Sequence, residues 1–186
     1  MNRIKKLLWI AGILLPALAL CQQTYIWNVP AGAWNDPGSW EPARNIIAGN
    51  DILEFNFSAS VTDMPSSESV GKIWLHNNAT VILNAGASSN IFIGDPALSA
   101  PHLLVEQGSE LDLEGYNPIV FNIVGGSTGI VDGSIKVAGS AHRLMSGDPA
   151  SLLFRNGGIF ATGSGFTGNA FGGTALNSVI FQSGST

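Results

Sequence analysis

One phrase, written again and again along the chain, limits what this sequence can fold into. It runs as two or three alternating apolar residues, a polar pair, a glycine with a small neighbour, then apolar alternation again. It stands as Leu104-Val105-Glu106-Gln107-Gly108-Ser109, followed by Leu111 and Leu113. It returns as Ile130-Val131-Asp132-Gly133-Ser134 with Ile135 and Val137, and as Leu153-Phe154-Arg155-Asn156-Gly157-Gly158 with Ile159 and Phe160. Ile180-Phe181-Gln182-Ser183-Gly184-Ser185 is a further copy. The glycines 108, 133, 157 and 184 are 25, 24 and 27 residues apart. A period of this length marks a solenoid, in which one repeat cannot bury its apolar face until a neighbour stacks on it.

The expected fold class is all-β, a right-handed parallel β-helix. No window outside the first 21 residues sustains helical spacing, and the density of glycine and β-branched residues disfavours helix. Short strands are expected near Gly71–Leu75, Thr80–Leu83, Ile91–Ile93, Leu103–Val105, Glu110–Leu113, Ile119–Ile123, Gly129–Val131, Ser134–Val137, Leu152–Phe154, Gly158–Ala161 and Ser178–Phe181. A β-sandwich is the alternative, since it too gives short strands with frequent turns. In a β-helix, Val105, Val131, Phe154 and Phe181 form one inward ladder, and Gly108, Gly133, Gly157 and Gly184 sit at one corner in left-handed conformation.

Residues 1–21 read as a signal peptide. Arg3, Lys5 and Lys6 precede an apolar run from Leu7 to Leu20, which is short for a bilayer span. Cys21 has two readings: removal with the leader, or lipidation at a lipobox. Leu20 is not the small residue a lipobox carries before its cysteine, which favours removal. The remainder then has no cysteine, five basic and thirteen acidic residues. So acidic a chain excludes nucleic-acid binding and docking on anionic membranes. An apolar fraction of 45 % excludes disorder. The expected location is extracellular or at the outer cell surface.

Residues 22–57 differ in character from the rest of the chain. Trp27, Trp34 and Trp40 alternate with Pro30, Pro37 and Pro42, and Asp36-Pro37-Gly38 is a strong turn signal. The expectation is a Trp-rich N-terminal cap over 22–57, leading through the strand Ile52–Phe57 into solenoid coils over 58–186. The chain stops where the second strand of its phrase would begin, so it reads as the front of a longer protein lacking its C-terminal cap.

Together, the Trp27–Trp40 segment, Asn50-Asp51-Ile52-Leu53-Glu54-Phe55, Ile73-Trp74-Leu75-His76-Asn77-Asn78-Ala79-Thr80-Val81, Gln107-Gly108-Ser109-Glu110-Leu111 and Ser178–Ser185 resemble the N-terminal β-helical region of large secreted proteins of Bacteroidota. Those proteins commonly leave by type IX secretion; the pattern is also similar in outline to autotransporter passenger repeats. The resemblance implies a surface-attached or released protein, often without catalysis.

Candidate sites are few. Trp34, Trp40 and Trp74 are candidates for stacking on sugar rings, against the alternative of aromatic packing that seals a core. Glu110, Asp112 and Glu114 alternate with Leu111 and Leu113 and so line one outward strand face. That stripe reads as a solvated face, with Ca²⁺ ligation or glycoside chemistry as the sharper alternatives. His76, His102 and His142 lack metal-ligand spacing and read as surface or turn residues. Gly125-Gly126-Ser127 and Gly172-Gly173-Thr174 are not phosphate loops. The expected role is a non-catalytic, adhesin-like or structural module with an extracellular polysaccharide or a cell-surface protein as partner. The alternative is the front of a polysaccharide lyase or glycoside hydrolase.

Overall fold

A computed structural model describes residues 22–172 and 178–186. The expected leader with Cys21, and part of the Gly172-Gly173-Thr174 stretch, lie outside the described residues. Within them the chain is all-β, with one short 3₁₀ turn at Pro37–Ser39. The strands are β1 (Thr24–Trp27), β2 (Ala31–Ala33), β3 (Trp40–Glu41), β4 (Ile52–Phe55), β5 (Ala59–Thr62), β6 (Ser67–Val70), β7 (Lys72–Leu75), β8 (Thr80–Asn84) and β9 (Ser89–Ile93). They continue as β10 (Leu103–Val105), β11 (Glu110–Glu114), β12 (Ile119–Ile123), β13 (Gly129–Val131), β14 (Ser134–Val137), β15 (Arg143–Ser146), β16 (Leu152–Phe154), β17 (Ile159–Thr162) and β18 (Val179–Phe181).

From β4 onward the chain visits three sheets in rotation, and each strand pairs in parallel with the one a full circuit later. The first sheet has the order β3-β1-β4-β7-β10-β13-β16-β18, the second β2-β5-β8-β11-β14-β17, and the third β6-β9-β12-β15. The β1·β3 pair is the antiparallel exception among the described residues. These long parallel sheets are compatible with a β-helix and do not form the facing antiparallel sheets of a sandwich.

Strand alternation decides what points inward. Phe55, Leu75, Val105, Val131 and Phe154 stand in register on successive circuits, all essentially unexposed. Val81, Leu111 and Ile135 do the same in the second sheet, and Ile91, Phe121 and Leu144 in the third. Phe181 holds its register and stacks on Phe154 at 4.6 Å between ring centroids, but it is 44 % exposed, because β18 lies at the edge of its sheet.

The corner after the first sheet differs in one position from the expectation. Gly108, Gly157 and Gly184 take positive φ there, joined by Asn78. Gly133 does not. Its turn is two residues shorter, and hydrogen bonding aligns it with Ser109: the Ser134 amide donates to Ser109 O, and the Ile159 amide to Gly133 O. Glycine is required at 133 for a different reason. A Cβ there would collide with the carbonyl oxygens of Glu106 and Ser109.

The boundary drawn at residue 57 does not divide a cap from the circuits. β1 already pairs in parallel with β4, and β2 with β5, so the Trp-rich segment contributes strands to the first two sheets. It also closes the core. Trp27 and Trp40 meet edge to face at 4.9 Å, Trp34 and Trp40 at 5.6 Å, and Trp27 stacks on Phe55 at 5.8 Å. Each indole N–H is satisfied: Trp27 donates to Val29 O, Trp34 to Glu68 Oε2 and Trp40 to Trp34 O. Burying such a ring removes roughly 150–250 Å² from water, worth at most about 4–6 kcal/mol each at 25 cal/mol/Å².

The loop from Pro42 to Asn50 is locked by charge. Arg44 is buried and donates to Glu68 Oε1 at 2.6 Å and to Asp51 Oδ2 at 3.1 Å. Its guanidinium also lies 5.6 Å from the Tyr25 ring centroid and 5.7 Å from that of Trp40. Glu68 is an inward residue of β6, a place where alternation calls for an apolar side chain; Arg44 and Trp34 are what make the carboxylate tolerable there.

Candidate groove beside the second sheet

The expected sugar platform does not form. Trp34 and Trp40 are 2 % and 1 % exposed within the aromatic cluster, so neither presents a face to solvent. Trp74 points outward from β7, but Lys72 and His76 flank it two residues to either side on the same face. His76 stacks on the indole at 4.5 Å, Lys72 Nζ lies 5.5 Å from its centroid, and the indole N–H donates to Glu106 Oε1 at 2.9 Å. The ring is engaged by both neighbours. The packing alternative holds for Trp34 and Trp40, and Trp74 belongs to a polar cluster in which His76 Nε2 also meets Glu54 Oε1 at 2.8 Å.

The histidines are likewise not surface residues throughout. His102 and His142 are buried. His142 Nδ1 accepts from the Ile119 amide at 3.0 Å, and its Nε2–H donates to Ala138 O at 2.8 Å. His102 repeats the arrangement, accepting from the Thr128 amide and donating to Asp95 O. Each is a neutral bracket between two stretches of backbone. Burial pulls the His142 pKa below its ordinary value, with Ala138 O, the Gly115 backbone and the Glu114 charge opposing.

The outward face of β11 is more than a solvated stripe. Asp112 is 3 % exposed, covered by its register neighbours Ile82 on β8 and Lys136 on β14. Lys136 Nζ sits 2.5 Å from Asp112 Oδ2 and 3.3 Å from Glu114 Oε1. Asp112 Oδ1 makes no hydrogen bond within the protein. Burial pushes the Asp112 carboxyl up, Lys136 pulls it back, and the Glu114 charge adds to the rise. The Lys136 ammonium is itself raised, chiefly by its bond to Asp112. An ammonium therefore occupies the space between two carboxylates that Ca²⁺ ligation would need. Among the described residues, no three His, Cys, Asp or Glu side chains converge as a metal set. Glu110 stands apart from this trio, accepting from Ser134 Oγ at 2.9 Å.

Beyond the ends of β8, β11, β14 and β17, Glu114 and Lys136 of this trio line an open groove of about 580 Å³. Its walls are Asn84, Glu114, Tyr116 and Lys136. Its floor is a column of glycines, Gly115, Gly139 and Gly165, on successive circuits with φ of +97°, +86° and +76°. A Cβ on Gly139 would meet the Gly115 carbonyl oxygen at 2.6 Å, so no side chain can stand in the middle of the floor. Tyr116 is 93 % exposed. Sequence reasoning missed this groove. The available signal was the glycine set 115, 139 and 165, which repeats at nearly the period of the main phrase on the opposite corner.

Compared with family models, curated proteins and solved structures, the chain matches none. Among the described residues no helix is long and apolar enough to cross a membrane.

Proposed function

We propose that this chain is a right-handed parallel β-helix in a secreted surface protein, and that it serves as a non-catalytic binding or structural module, adhesin-like in use. The β-helix reading is supported by the cyclic three-sheet pairing with like residues in register. The right hand follows the rule that a parallel strand rejoining its own sheet does so by a right-handed crossover. Secretion is supported by the leader pattern of residues 1–21, and a surface role by the resemblance to secreted Bacteroidota proteins. The partner is an extracellular polysaccharide or a cell-surface protein.

One observation carries the non-catalytic reading. Several charged side chains are engaged across circuits: Lys136 with Asp112 and Glu114, Arg155 with Asp132, and His76 with Glu54. A general acid or base must reach substrate and be free to pass its proton. In these pairs a structural partner already holds that proton or its charge. The competing reading, a polysaccharide lyase or glycoside hydrolase, has one observation in its favour: the Asp112 carboxyl is raised, and Glu114, its neighbour on the same strand face, lines a groove. Binding and turnover of soluble polysaccharides, measured on the same preparation of the full-length protein, separate the two. Binding without turnover is expected. Turnover lost on Asp112→Asn or Glu114→Gln would defeat the module reading.

A further inference from the structure

We propose that the groove over the glycine column binds a neutral oligosaccharide, with the Tyr116 ring against a sugar face and with Glu114, Lys136 and Asn84 meeting its hydroxyls. The inference rests on the module reading and assigns it a site and a ligand class.

Size comes first. About 580 Å³ lies within the range of small-ligand sites, and such a site is concave, with a few polar groups placed to orient the ligand. A protein partner needs a much larger and flatter contact. Gly115, Gly139 and Gly165 put no side chain into this groove, and the left-handed conformation and close approach at Gly139 keep that position bare.

Tyr116 is the second observation. A large aromatic residue at 93 % exposure gains nothing for the fold from being there. Nor is it on a loose tip. The next residue, Asn117, donates from its side-chain amide to Ala85 O at 3.0 Å, tying the turn to the circuit below. An aromatic ring on an anchored turn, at the wall of a groove, offers the apolar C–H face of a pyranose a surface to cover.

The charges choose among sugars. Lys136 is held by the buried Asp112 and by Glu114, and two carboxylates to one ammonium leave the wall with a net negative charge when all three are ionised. A uronate or sulfated chain would be repelled, as it would by the acidic chain as a whole. A neutral sugar hydroxyl both donates and accepts, which suits a carboxylate and an ammonium side by side. An ammonium has three N–H donors. Asp112 and Glu114 engage two, which leaves one for a ligand. Asn84, whose amide lies over Gly115, offers a donor and an acceptor at the end of the same floor.

The test is isothermal titration of the full-length protein with cellohexaose, mannohexaose and xylohexaose, and with oligogalacturonate as the acidic arm. At least one neutral hexaose is expected to bind and the galacturonate not. Tyr116→Ala and Glu114→Gln should each weaken that binding tenfold or more, while Glu106→Gln, outside the groove, should leave it unchanged. Tyr116 is so exposed that its truncation leaves the fold intact, which the melting temperature will verify. No binding of any neutral hexaose at millimolar concentration overturns the inference, as does binding of the acidic chain alone. If polysaccharide is bound equally well by wild type and both groove variants, the groove assignment falls and the module reading survives. If the hexaose is bound in the groove and also cleaved, the groove assignment survives and the non-catalytic reading falls.

Discussion

Replacing Arg44 with alanine tests the most consequential buried charge in the molecule. The substitution removes the guanidinium that meets Asp51 and Glu68, whose side chains are 1 % and 4 % exposed. Both carboxylates stay where they are. Asp51 Oδ2 keeps the Ala48 amide at 3.0 Å, and Glu68 Oε2 keeps the Trp34 indole, but neither retains a counter-charge. Stranding a buried charge by deleting its partner costs about 3–5 kcal/mol. For a protein of this size that lowers the melting midpoint by about 6–20 °C. Because the cluster is buried, the loss should persist in 1 M salt, where an exposed pair would already be screened. The assay is thermal unfolding followed by far-ultraviolet circular dichroism, with urea midpoints as a second measure. The triple variant Arg44→Met, Asp51→Asn, Glu68→Gln serves as the control. It removes all charge while keeping acceptors for Ala48 and Trp34, and it should recover most of the midpoint, since neutral replacement of a whole buried network is often tolerated. A shift under about 2 °C for Arg44→Ala, or a triple variant as unstable as the single, would refute the claim that the guanidinium neutralises this corner.

Two further predictions concern single sites. Val131→Asp places an unpaired charge between Val105 and Phe154 in a ladder with no exposure, and a loss above about 4 kcal/mol is expected; a thermal melt showing the variant unharmed would mean the inward register is wrong. His142 is held neutral by its two backbone bonds, with a pKa lowered by burial. The unfolded chain takes up a proton at this residue near pH 6.5, before the folded chain does. Stability from this group is therefore complete above that pH and is lost as pH falls through the lowered folded pKa. Melting temperatures between pH 4.5 and 8 should show a slope that His142→Gln flattens, and an identical slope in the variant would count against the bracket.

Much of the strand pattern from β7 to β17, β15 excepted, can be read directly from the residues, because most inward positions there are large and apolar and the turns are marked by glycine or asparagine. β5 and β6 escape that reading for a local reason. Their inward residues include Ala59 and Glu68, and an inward glutamate is intelligible only once Arg44 and Trp34, remote in sequence, are brought to it. Asp112 makes the same point for the groove. Alternation gives the face a residue is on but not how deeply it is covered, and its cover is Lys136 from the next circuit. His102 and His142 read as surface residues because nothing in their sequence neighbourhood announces the backbone amides they accept from. Tyr116 looks like any turn residue until the glycine column beside it is seen as a floor.

The strand β3 lies across the outer edge of β1 and runs the opposite way. That reversal gives the stack a direction. β3 is two residues long, so the outer edge of this sheet offers a further chain little backbone to pair with. That side also holds the first of the described strands to emerge during synthesis.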